Sequence, residues 1–129
     1  TATGKALWEE RRRSRIRCAD IFPDGSRVVL CTKDECAIRD ASSGRVAGEL
    51  RVEVPFGVDA SAGNRVLTWN FDTAAVWDVA SRRQVCVMSR SDATIEIMRP
   101  FPGGRRFTSS GVENQVVIWS ADSCEALPE

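Results

Sequence analysis

Apolar runs of five to seven residues, rich in Val, Ile, Phe and Trp, recur along the chain between short clusters of Gly, Pro, Asp and Ser. Runs of this length bounded by turn residues predict strands rather than helices. In the first third, strands are expected at 16–22, 27–32, 36–40 and 45–50. Pro23-Asp24-Gly25 separates the first two: proline presets φ for the turn, and glycine accepts positive φ at its end. Lys33-Asp34-Glu35 and Ala41-Ser42-Ser43-Gly44 turn the chain again. The same punctuation places strands at 54–60, 65–70, 73–78 and 84–88, then at 94–99, 106–110, 115–119 and 124–127. The pattern is that of an all-β protein built from four-stranded antiparallel units.

The units are copies of one another. Residues 25–40 align with 63–78 without a gap, and residues 104–119 align with one inserted residue. Self-similarity at about 40 residues is the mark of a repeat architecture. The copies end their third strand in Val76-Trp77-Asp78 and Ile118-Trp119, and two carry Phe22-Pro23-Asp24-Gly25 and Phe101-Pro102-Gly103-Gly104. On these residues the chain resembles the WD-repeat β-propeller family. The resemblance implies an all-β fold of four-stranded antiparallel propeller blades: three blades plus the outer strand of a preceding one. It divides the chain into that strand at 1–10 and blades at 11–50, 51–90 and 91–129.

The copies also depart from the family pattern. Without histidine there is no Gly-His dipeptide, so the family's network from that His through a turn Asp and a strand Ser/Thr to the Trp is expected not to form. Asp34 and Asp72 sit one position off the family register, Glu113 stands at the usual place in the third copy, and Arg39 replaces the Trp in the first. Propellers close with roughly four to eight blades. Three blades leave apolar faces open, so the remaining blades are expected from a longer chain or from self-association, a free-standing strip being the third alternative. The first residue, Thr1, fits a piece of something longer.

Composition narrows the chemistry. Formal net charge is zero, so nothing draws the whole chain toward nucleic acid or an anionic membrane. No apolar run approaches the ~20 residues of a membrane span, and no signal-peptide core opens the chain. The absence of His removes the Ser-His-Asp and Cys-His catalytic arrangements and the usual zinc sites. No phosphate-cradling glycine loop occurs. No catalytic residue, metal or cofactor is therefore expected. The five cysteines lack C-x-x-C spacing and mostly lie in apolar runs, which favours buried, reduced thiols in a cytoplasmic, intracellular protein. Cys31 and Cys36 flank a tight turn, which leaves a hairpin disulfide as the less favoured alternative.

The function expected is a protein–protein interaction scaffold, or a regulatory and sensor segment of a larger protein. The resemblance places docking on the face that carries the connections between blades and the turns between second and third strands. Carried over position by position, its candidate residues are Arg11, Arg12, Arg13, Arg17, Lys33, Asp34, Glu35, Phe71, Asp72, Glu96, Glu113 and Asn114. Trp69 joins them because its repeat partners are Cys31 and Ser110, although packing between blades explains it as well. Trp77 and Trp119 belong to the core by the same alignment, and Trp8 is undecided. The alternative is nucleic-acid or anionic-lipid binding through the Arg-rich run at 11–17, whose bland counterpart is a solvated loop with arginine stems over a sheet edge.

Overall fold

The computed structural model describes residues 6, 15–52, 55–89, 95–111 and 116–127. Among these the chain forms three antiparallel sheets and no helix. The first sheet is β1 (Cys18–Ile21), β2 (Arg27–Cys31), β3 (Cys36–Asp40) and β4 (Val46–Leu50), paired in chain order. The second repeats the arrangement with β5 (Gly57–Asp59), β6 (Arg65–Trp69), β7 (Thr73–Asp78) and β8 (Gln84–Ser89). The third joins β9 (Ile95–Pro100), β10 (Arg106–Gly111) and β11 (Val116–Ser120). Its expected fourth strand is reduced to one bridge, Trp119 to Ala126, with the Leu127 amide donating to the Ile118 carbonyl at 2.8 Å. Of the expected outer strand at 1–10, Ala6 alone is among the described residues, and the expectation is otherwise outside them.

The turns follow the residues predicted for them. Gly25 takes a φ of 74°, and its amide donates to the Phe22 carbonyl at 2.9 Å. At the turn after β3 the Asp40 carboxylate accepts hydrogen bonds from the hydroxyls and amides of Ser42 and Ser43. These bonds favour the charged form and hold its carboxyl at about 2, below the ordinary 3.8. Asp78 and Ser81 repeat the device after β7.

Alternation along the strands sends side chains to both faces, and each sheet stacks on the next. Between the first two sheets lie Phe22, Val29, Ile38 and Leu50 on one side and Val58, Val66 and Trp77 on the other. Between the second and third lie Leu67, Val76 and Met88 against Met98, Phe107 and Trp119. The second sheet is thus buried on both faces, with Val66 and Trp77 turned one way and Leu67 and Val76 the other.

Half of the tryptophan network survives without histidine, against expectation. The Trp77 indole N–H donates to Thr68 Oγ1 at 2.9 Å, and that of Trp119 to Ser109 Oγ at 2.8 Å, both buried. The two pairs occupy the same register in their sheets; in the first sheet those positions are Leu30 and Arg39. Donor and acceptor were replaced together there, so no hydroxyl is left buried without its indole. Arg39 turns its Nη1 to the Gly44 carbonyl at 2.8 Å instead. Ser109→Ala leaves a buried indole N–H without its acceptor and is expected to destabilise by about 1–3 kcal/mol, read from urea unfolding.

The expectation of reduced cysteines is corrected. Cys31 and Cys36 face each other across the β2–β3 hairpin with Cα atoms 4.0 Å apart and form a disulfide. A second disulfide joins Cys86 in β8 to Cys124 of the third repeat, with Cα atoms 5.7 Å apart. Cys18 is the free cysteine. The apolar runs concealed both pairings: residues directly opposite in a hairpin share a face, and partners 38 positions apart meet only when the sheets stack.

Candidate interaction surface

Antiparallel order brings the β2–β3 and β6–β7 turns and the starts of β1, β5 and β9 to one end of the sheets. Backbone bonds hold this end in place. The Arg17 amide donates to the Cys31 carbonyl at 2.7 Å, extending the β1–β2 pairing. The Phe56 amide donates to the Trp69 carbonyl at 2.8 Å, and the Ile95 amide to the Phe71 carbonyl at 2.7 Å, tying the second sheet to the third.

Three side chains from separate connections meet there. The Arg17 guanidinium lies 5.6 Å from the Phe56 ring centroid. The Phe56 and Phe71 centroids are 4.3 Å apart with planes inclined by 35°. Phe71 is 62 % exposed and Phe56 41 %, so two phenyl rings lie open to solvent beneath a cation. Beside them a depression of about 250 Å³ is lined by Arg15, Ile16, Arg17 and Phe56. Phe56 did not stand out in the sequence, because its repeat partner is not aromatic and the middle copy of the first strand is the weakest.

The remaining expected residues distribute as follows. Lys33 and Asp34 are exposed in the β2–β3 turn, while Glu35 is half-buried and its carbonyl accepts the Thr32 amide at 2.9 Å. Asp72 is exposed and its carboxylate accepts the Thr73 hydroxyl at 3.1 Å, in a turn closed by Asn70 Oδ1 accepting the Thr73 amide. The Glu96 side chain is exposed, and its carbonyl accepts the Trp69 indole N–H at 3.1 Å. The Trp69 ring lies over Gly57 so closely that an added Cβ there would overlap it. Trp69 thus bridges the second and third sheets and is half-buried, as the packing alternative for it required. Arg11, Arg12, Arg13, Glu113 and Asn114, and Trp8 with them, lie outside the described residues.

The opposite end of the stack is a set of latches. Arg65 donates from Nη1 to the Ala121 carbonyl at 3.0 Å and pairs through Nη2 with Asp122 at 2.7 Å. Asn64 Nδ2 donates to the Gly103 carbonyl at 3.2 Å, and Gly104, with a φ of 73°, leaves room for the Asn64 side chain. Asp20 Oδ2 accepts the Ala60 amide at 2.7 Å between the first two sheets. Such contacts fix the sheets relative to one another, so the phenyl pair sits on a rigid base.

The architecture is that of WD-repeat-like β-propeller blades. Solved structures similar to the chain include the WD40 repeats of RRP9, with a TM-score of 0.76 at 13 % identity over 92 % of this chain and 39 % of that one. The computationally designed Ika4 protein matches with a TM-score of 0.77 at 14 % identity over 98 % of this chain and 79 % of that one. Hydrazine synthase of Kuenenia stuttgartiensis matches with a TM-score of 0.76 at 20 % identity, over 98 % of this chain and 40 % of that one. The chain thus spans about two fifths of the RRP9 and hydrazine synthase chains. At these identities the likeness concerns the fold, which serves a WD40 protein and a chain of an enzyme alike. No family model matches the sequence, and no curated protein matches it. Among the described residues no helix is long and apolar enough to cross a membrane.

Proposed function

We propose that the chain is a non-catalytic protein-interaction scaffold, a regulatory or sensor segment of a larger propeller protein, and that it docks partners at the end bearing Phe56 and Phe71. The observation that carries this reading is the phenyl pair itself. Two rings held rigidly in connections and open to water have no packing role that requires their exposure. Aromatic anchors beside arginine are the composition of interface hot spots. A protein or peptide with an apolar side chain for the rings and a carboxylate for Arg15 and Arg17 suits the surface.

The test is selection of peptides from a displayed random library on the immobilised chain, with affinities then measured for the enriched sequences. Phe71→Ser is expected to weaken their binding more than tenfold, while Asp122→Ala at the opposite end leaves it unchanged. Peptides indifferent to Phe71, or no enrichment at all, would overturn the reading. Polyanion binding that falls steeply with salt and is lost with Arg15 and Arg17 would favour the nucleic-acid or lipid alternative.

Two further readings belong here. The third sheet leaves Ile97, Val116 and Ile118 exposed, at 50, 68 and 39 %, on the face turned away from the second. A further blade, from a longer chain or from a second copy, would cover that face. The cytoplasmic setting expected from the cysteine pattern has the two disulfides weighing against it, because such bonds persist chiefly in oxidising compartments.

A further inference from the structure

Cys18, Cys31 and Cys36 stand in one row across three adjacent strands. Cys18 of β1 is directly opposite Cys31 of β2, and Cys31 is directly opposite Cys36 of β3. Residues paired in this way project from the same face of a sheet, with Cβ atoms about 4.5–5.5 Å apart. That is about 1 Å beyond the Cβ separation of a typical disulfide. All three sulfurs therefore belong to the face packed against the second sheet, where Cys18 lies against the cluster holding the other two. Cys31 and Cys36 are bonded to each other and both are 0 % exposed, whereas Cys18 is a free thiol of intermediate exposure. A thiol in solution meets Cys18 while the buried bond is closed to it.

We propose that this row is a thiol–disulfide exchange site, in which Cys18 relays low-molecular-weight thiols to the buried Cys31–Cys36 bond. Cys18 loses its proton to solvent, and its thiolate attacks Cys31 Sγ. The Cys18–Cys31 bond forms, the Cys31–Cys36 bond breaks, and the electron pair leaves on Cys36 Sγ, which takes up a proton. This first step is redox-neutral. An external thiolate then attacks Cys18 Sγ and releases Cys31 as a thiol. A second external thiol resolves the mixed disulfide, so that the external pair is oxidised as the buried bond is reduced. Run backwards, the same steps would oxidise the pair. Burial pushes the Cys18 thiol up to about 11, with Arg17 opposing, so the attacking thiolate is the minor form at neutral pH. The relay is therefore slow, and Cys31–Cys36 is the bond present at rest.

The experiment follows reduction of the native chain by dithiothreitol, with acid quenching, alkylation and peptide mass mapping at each time. In Cys18→Ser the Cys31–Cys36 bond is expected to be reduced at least tenfold more slowly than in the unaltered chain. Cys86–Cys124 should be reduced at the same rate in both, which also reports that the variant is folded. Equal rates for Cys31–Cys36 with and without Cys18 would overturn the proposal. Should Cys18→Ser fail to fold, Cys36→Ser provides the second measurement. Oxidised in air, it is expected to yield a Cys18–Cys31 cross-linked peptide. Recovery of both residues as alkylated thiols, alongside an intact Cys86–Cys124 bond, would overturn the proposal equally.

Discussion

Trp119→Ala is expected to lower the free energy of unfolding by about 3–5 kcal/mol, the range for truncating a buried aromatic side chain. Trp119 is 9 % exposed, its ring system stacks on Phe107 at 6.3 Å with planes inclined by 14°, and its indole N–H is held by Ser109. Removing it opens a cavity between the second and third sheets and strands the Ser109 hydroxyl in an apolar setting. A chain of this size has about 5–15 kcal/mol of stability in total, so the variant should unfold at a markedly lower urea concentration. A loss below about 1 kcal/mol would mean that the third sheet does not stack on the second as described. The comparison with Ser109→Ala separates the two contributions: hydroxyl loss alone leaves the ring and its dispersion contacts in place.

Much of the fold was legible because each strand is short and sharply punctuated. Pro23-Asp24-Gly25 and the Asp-x-x-Ser turns after β3 and β7 dictate reversals locally, and the offset between copies repeats them. The all-β class and the order of strands follow from those residues alone. Where the reading failed, the missing information was three-dimensional. Residues 124–127 have strand-like composition, yet Cys124 adopts a φ of 58°, the left-handed conformation held by Gly44 at the matching turn of the first repeat. Its amide donates to the Ser120 carbonyl at 2.8 Å, as the Gly44 amide does to Asp40. Arg82 holds the same conformation at the matching turn of the second repeat, with a φ of 60°, so the turn itself imposes it on residues other than glycine.

The candidate surface was legible in part. Phe71 and Arg17 were both among the positions carried over from the docking face that the resemblance implies. Their conjunction required Phe56, which only the stacking of the first sheet on the second brings between them. Trp69 shows the converse: the same departure from its repeat partners goes with packing over Gly57 and a bond to the Glu96 carbonyl. An aromatic residue that breaks a repeat is therefore informative only together with the residue it lies on. A glycine one strand away converts it into a structural wedge.

The Cys86–Cys124 bond carries the other large effect. It joins strand β8 of the second sheet to the turn that follows β11 of the third, and so adds a covalent fastening to blades that packing, side-chain latches and the Ile95–Phe71 backbone bond also hold. A cross-link of this kind acts chiefly by restricting the unfolded chain, and the restriction grows with the loop it closes. For a separation of 38 residues the chain-entropy estimate is about 4 kcal/mol. The hairpin pair Cys31–Cys36, with a separation of 5, gives about 2 kcal/mol. Cys86 is only half-buried, so serine in its place adds little desolvation cost. Cys86→Ser is accordingly expected to unfold in oxidising buffer about 4 kcal/mol below the unaltered chain, measured by urea titration. The gap should close to within about 1 kcal/mol once both proteins are fully reduced, because the reduced chains differ by one sulfur atom rather than by a loop. A gap that persists under reduction would assign the effect to local contacts of the Cys86 side chain. Equal stabilities in oxidising buffer would mean that the second and third blades are held together without a covalent bond.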